Sequence, residues 1–305
     1  MKATVAGAPV SFGVFELTPE GAETVAADDM LDILAASGYG GVDLGPLGYF
    51  GRGKELRERL DRFGLELAGG WVQLPFSDDE AFEASLPSLD EALRVFSDAA
   101  ESGPARLPLP TLADDGSAPR RAAPGRGAVE DPLTDDGWQR LAANAGRAAE
   151  RVRKAGFEPT FHHHAGTFVE SPAEIDRFLS VVDIDLTLDT GHLFIAGGDP
   201  IDAARRWGDR INHLHLKDVD LAELRRVLAA GGGMREVWSS GSFVAFGRGD
   251  IDLAGVMAAI DERGFDGWVV VEQDVLNGAD LSLTTFQQQR ADDQRRNRDA
   301  LSAWA

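Results

Sequence analysis

The chain reads as an α/β protein folded into a (β/α)8 TIM barrel. Three observations predict this. Short apolar segments alternate with helical segments along 305 continuous residues, and eight of them suit strands. The late segments are apolar on both faces, as in parallel strands covered by helices. Polar residues with metal-binding and acid–base chemistry gather where four of those segments end, and such barrels carry their chemistry at C-terminal strand ends. A doubly wound open sheet would more often show a glycine phosphate loop after its first strand. None is present, and Gly247-Arg248-Gly249 is too short to replace it. A single barrel domain over residues 1–305 follows.

Thr4 to Pro9 is the first strand, running into Ser11-Phe12-Gly13-Val14. Apolar residues at helical spacing predict a helix from Ala26 to Ser37, stopped by Gly38. Val42 to Leu44 is the second strand and feeds the turn-rich Gly45-Pro46-Leu47-Gly48-Tyr49-Phe50. Lys54 to Phe63 is helical up to Gly64. Leu65 to Val72 is the third strand, and Phe82 to Ala100 holds a long helix. Ala105 to Leu109 reads as a weaker fourth strand. From Pro110 to Asp136 the chain turns rich in Pro, Gly, Asp and Ala with no apolar period, which predicts a long loop, either disordered or a lid. A helix from Trp138 to Ala155 precedes a fifth strand, Phe157 to Phe161. Ser171-Pro172-Ala173-Glu174 is a capping box that opens a helix through Leu179. Ile184–Leu188, Ile211–Leu216 and Trp268–Val271 are the last three strands. Helices are expected over Pro200–Trp207, Asp220–Ala230 and Leu253–Arg263, with a polar helix from Thr284 onward.

Composition narrows the chemistry. Hydrophobic residues make up 43% of the chain, ample for a large core. Cysteine is absent, so any metal must be held by nitrogen and oxygen. The formal charge is −21 with 51 acidic against 30 basic residues, which repels phosphate backbones and argues against a nucleic-acid partner. Adaptation to high salt would produce such a surface; GC-rich coding would also exchange lysine for arginine. No apolar run approaches a membrane span and no secretory signal opens the chain, so a cytoplasmic protein is expected. The small-molecule partner would be a polyol or sugar, and a homo-oligomer stays open.

The chemistry concentrates in four segments. Half of the six histidines lie in Phe161-His162-His163-His164-Ala165-Gly166-Thr167. Side chains alternate across a strand, so His162 and His164 share a side and His163 faces the other. The other segments are Leu188-Asp189-Thr190-Gly191-His192, His213-Leu214-His215-Leu216-Lys217-Asp218 and Val271-Glu272-Gln273-Asp274. Asp189, His215 and Glu272, with His162 or His164, offer the oxygens and nitrogens that a divalent cation prefers. Each residue also has a plain structural reading: Asp189 as a helix cap, one of His213 and His215 as a packed core histidine, Lys217-Asp218 as an ion pair. A lone Glu272 after Trp-Val-Val-Val would be costly unless paired or metal-bound.

These motifs, with Ser11-Phe12-Gly13-Val14 and Gly45-Pro46-Leu47-Gly48-Tyr49, resemble the sugar isomerase/epimerase superfamily of xylose-isomerase-like barrels. Within it, the inosose (2-keto-myo-inositol) dehydratases are most similar. The resemblance implies metal ligands Asp189, His215 and Glu272, and the superfamily's fourth ligand is a glutamate at the strand end where this chain has His162, which with His164 remains a candidate for that place. That departure argues against a two-carboxylate epimerisation. Ser-Phe-Gly stands for the family's Ser-Trp-Gly, and Asp43 for a frequent glutamate. The implied activity is a metal-dependent dehydratase, a lyase acting on a keto-cyclitol such as scyllo-inosose through a metal-stabilised enediolate. Mn²⁺ is the expected cation, with Co²⁺, Zn²⁺ or Fe²⁺ also suited. Candidate proton carriers are His164, His192, Lys217 and Glu272; Phe12, Tyr49, Trp71, His164 and His192 are expected around the substrate. Competing readings are a metal-dependent ketose epimerase or aldose–ketose isomerase, elimination from a 3-keto-glycoside, and a non-catalytic sugar-binding barrel.

Overall fold

Eight parallel strands close into a barrel. They are β1 (Thr4–Gly7), β2 (Gly41–Asp43), β3 (Glu66–Leu74), β4 (Leu109–Asp114), β5 (Thr160–His162), β6 (Asp185–Asp189), β7 (Ile211–Leu216) and β8 (Trp268–Val271). Each is bonded to its sequence neighbours, and β8 closes the ring onto β1. The computed structural model describes residues 3–15, 18, 23–277 and 281–304. The predicted Thr284 helix runs over Leu283–Ala300.

Alternation along each strand sorts the residues into two shells. Leu186, Leu188, Leu214, Leu216, Val269 and Val271 pack outward into the main core beneath the helices. Full burial of one such side chain contributes about 1.5–3 kcal/mol. Trp268, Val270, Ala6 and Ala68 point inward and pack together as the barrel floor. The indole of Trp268 requires glycine opposite it, because a Cβ on Gly41 would lie 2.6 Å from Trp268 Cζ3. Above this floor, a 2.7 Å hydrogen bond joins Thr160 Oγ1 to Thr187 Oγ1. Register then stacks the polar layer: Asp189 pairs with His215, and His215 with Val270.

The fourth strand differs from expectation. It runs over Leu109–Asp114 and not Ala105–Leu109, so the first residues of the expected loop belong to the barrel. Pro110 reads as a break, but it is the second residue of β4. Pairing with β5 begins only at Thr111, so the missing N–H falls before that ladder starts. The remainder carries two short helices, Ala118–Ala122 and Gly127–Glu130. Arg120, fully buried, ties this stretch down. Its Nη1 donates to Thr167 O at 2.7 Å, its Nη2 to Glu174 Oε1 at 2.8 Å and its Nε to Asp131 O at 2.9 Å.

Between β7 and β8 the chain leaves the barrel in an excursion with a two-residue antiparallel pair, Asp218–Val219 with Phe243–Val244. Asp218 does not pair with Lys217 here. Its carboxylate accepts the N–H groups of Val219, Gly247, Gly249 and Ile251 and so shapes the glycine-rich turn.

Candidate active site

The C-terminal strand ends surround a cavity of about 400 Å³. Its deep side is built by the inward positions of β5 to β8. His162, Asp189, His215 and Glu272 are all buried, and their ligating atoms lie within 4.8 Å of one another. His162 Nε2 stands 3.2 Å from Asp189 Oδ2, and His215 Nδ1 2.8 Å from Glu272 Oε2. Asp189 does cap the helix that follows, its Oδ1 accepting from His192 N–H at 2.8 Å, which leaves Oδ2 for the cluster. His163 faces away, and its Nε2 accepts the Asp189 N–H at 3.2 Å.

Lys217 Nζ bridges Asp189 Oδ2 and Glu272 Oε2 at 2.6 Å each and lies 3.3 Å from Asp274 Oδ1. Burial opposes its charge, but Asp189, Asp274 and Glu272 raise its ammonium well above the usual lysine range. These carboxylates therefore hold it as an ammonium. Burial also opposes charge on Glu272, yet His215 and Lys217 hold its carboxyl below the usual range. Asp274 goes the other way: burial, with Glu272 and Asp189 close by, pushes it up to about 7.

These residues fit a divalent cation. Two imidazoles and two carboxylates form a borderline donor set suited to first-row metals. His215 Nδ1 is engaged by Glu272, whereas its buried Nε2 has no hydrogen-bond partner among the described residues. Three buried carboxylates, Asp189, Glu272 and Asp274, face the single ammonium of Lys217. A divalent cation among these carboxylates would add to the offset that Lys217 and His215 give, and uncompensated buried charge is costly.

His164 lines the cavity beside this cluster, and the fully buried His192 packs against it, their ring centroids 3.5 Å apart. Desolvation and neighbouring positive charge push both well below the usual histidine range, so both are neutral at pH 7. His164 Nδ1 lies 2.8 Å from Ala165 O, which requires the proton on Nδ1 and leaves a lone pair on Nε2. His192 Nε2 lies 3.2 Å from Asp274 Oδ2. Trp71 packs its indole edgewise against His162 and His164, with centroids at 5.1 and 5.2 Å.

Three residues expected around the substrate, Phe12, Tyr49 and the fully buried His192, are not among those lining the cavity. Phe12 ends a 3-10 turn and packs in the main core; Phe15, beyond the reversal at Gly13, lines the cavity with Pro9 and Val10. Tyr49 donates its hydroxyl to Val25 O at 2.7 Å and packs on Phe50. Sequence reasoning also missed cavity residues: Asp274 as a charge partner, Asp114 at the end of β4, Asp115 and Arg121 after it, and Met234 and Trp238 from the β7–β8 excursion. Asp274 carried a signal, the alternation that continues from Glu272. The excursion residues carried none.

Residues 31–298 match the family described as the xylose isomerase-like TIM barrel. An inosose dehydratase of Lacticaseibacillus casei is 32% identical over 270 residues, covering 83% of this chain and 84% of that one. Among solved structures, a xylose isomerase-like TIM barrel/4-hydroxyphenylpyruvate dioxygenase fusion protein superposes with TM-score 0.71 at 19% identity. That match covers 99% of this chain, which spans 44% of the fusion protein. An L-ribulose 3-epimerase superposes with TM-score 0.68 at 17% identity, over 99% of this chain and 94% of that one. Likeness at that identity carries the fold alone. The curated relative and the family match together make this chain an inosose dehydratase-like member of the xylose isomerase-like TIM barrel family.

Proposed function

We propose that the chain is a divalent-metal-dependent dehydratase that removes water from a keto-cyclitol such as scyllo-inosose. The observation that carries this is a buried cluster of two histidines and two carboxylates, with neutral His164 lining the same cavity and neutral His192 packed behind it. The named relative supplies the substrate class. His162, Asp189, His215 and Glu272 would hold the cation, with Mn²⁺ the first choice and Co²⁺, Zn²⁺ or Fe²⁺ suited to the same donors. When bound, it supplies Lewis acidity toward the ketone and a neighbouring hydroxyl, which acidifies the adjacent C–H.

The chain's own groups then move the proton. His164 Nε2, fixed as an acceptor by the Ala165 contact, takes the proton from the carbon beside the ketone. The resulting imidazolium returns that proton to the β-hydroxyl as its C–O bond breaks, and water leaves. Lys217 keeps Asp189 and Glu272 ionised throughout. His192, held against His164 and Asp274, orients the base. The segment carrying Asp115 and Arg121, closed down by Arg120, limits water access to the reacting carbons.

The test is mass analysis of the purified protein with scyllo-inosose, with and without Mn²⁺. Metal-dependent loss of one water, abolished by Glu272→Gln, is the expected result. A new ketose isomer from a sugar panel, with no water lost, would transfer the protein to the epimerase reading.

A further inference from the structure

We infer that Asp114 is a substrate-recognition residue whose Oδ2 bonds a ring hydroxyl of a neutral polyol ketone, away from the reacting carbons. This deepens the keto-cyclitol reading and rests on it. Asp114 is the last residue of β4, 1% exposed, and it lines the cavity. Its Oδ1 is spoken for: Gly116 N–H donates to it at 2.7 Å and Phe168 N–H at 3.2 Å. Those two bonds fix the carboxyl plane. Its Oδ2 is buried and has no hydrogen-bond partner among the described residues.

The nearby cations do not serve it. Arg120 spends its guanidinium on Thr167, Asp131 and Glu174, and Arg121 donates Nη1 to Asp115 O at 2.6 Å. Two other cavity carboxyls have a buried oxygen without a hydrogen-bond partner, but Asp43 clusters with His213 and His215 in the ligand layer, and Asp274 Oδ1 faces Lys217 Nζ at 3.3 Å. Asp114 belongs to no ligating group. A buried acceptor left without a donor is unfavourable, and a substrate hydroxyl entering the cavity would supply one.

Charge around the cavity sets the substrate class. Among the described residues, Asp43, Asp114, Asp115, Glu272 and Asp274 line it against only Lys217 and Arg121. A phosphate or carboxylate on the substrate would meet net repulsion, whereas hydroxyls would meet acceptors.

The test is calorimetric binding of scyllo-inosose and its single-deoxy analogues to the Mn²⁺-loaded protein, alongside turnover of each. Wild type is expected to bind one analogue, deoxygenated away from the ketone and the leaving hydroxyl, about 10- to 100-fold more weakly than the parent. Asp114→Asn keeps an acceptor for the two amides and is expected to erase most of that discrimination while Mn²⁺ affinity stays unchanged. Uniform binding of all such analogues by wild type would overturn the assignment without any variant. Discrimination that survives in Asp114→Asn would also overturn it. Discriminating binding without water loss would remove the dehydratase reading and leave Asp114 standing. Wild type that binds none of these ligands overturns both.

Discussion

Lys217 shows how one side chain sets the character of the whole site. Three carboxylates converge on it, so removing it leaves buried negative charge with no counterion. Lys217→Met is expected to destabilise the metal-free protein by about 3 kcal/mol or more, with Mn²⁺ restoring part of the loss; thermal melts with and without chelator check this. Glu272→Gln is expected to lower Mn²⁺ affinity at least about tenfold, read by calorimetry, because the amide carries no charge to offset the cation. His164→Gln should leave Mn²⁺ affinity intact yet reduce kcat by about 10²–10⁴, since only the proton acceptor is lost. Residues of this layer are legible in the sequence. Strand alternation alone places His162 with His164, and Asp189, His215 and Glu272 each stand at or just past a strand end. Lys217 and Asp274 are visible as residues but not as partners, because their meeting depends on barrel closure between β6, β7 and β8.

The elements were readable where local chemistry decides them. The capping box at Ser171 is present as predicted, its hydroxyl accepting from Glu174 N–H. The helix expected from Phe82 begins at Asp79, because Asp78 caps it through Ala81 N–H. The fourth strand was not legible: Pro110 and the small residues around it carry the signature of a loop, and only pairing with β3 and β5 makes the segment a strand. That shift hid Asp114, which becomes a strand-end residue only once β4 is set correctly. The segment after it depends on Arg120. Arg120→Met is expected to free the Thr167 and Glu174 contacts and to speed proteolytic cleavage between residues 115 and 131, while wild type resists.

At the scale of the whole molecule, folding draws an acidic chain around a carboxylate-rich cavity. Burial and Asp115 raise Asp114 to about 7. A raised carboxyl keeps its proton when folded at pH values where the unfolded chain has lost it. Its burden is therefore absent below about pH 4, grows as pH rises toward 7 and is constant above. Asp114→Asn is expected to raise Tm at pH 8 and to change it little at pH 4. High salt should weaken repulsion among the exposed charges behind the −21 balance but leave this buried contribution in place. Among the described residues no helix is long and apolar enough to cross a membrane.

The tryptophan floor has a kinetic consequence. Trp268 fills the space over Gly41 and seals the barrel beneath the ligand layer. Ketone, released water and dehydrated product therefore share one portal, and a product still seated blocks the next arrival. Product inhibition should be competitive with substrate, so initial-rate plots at several product concentrations should meet on the ordinate.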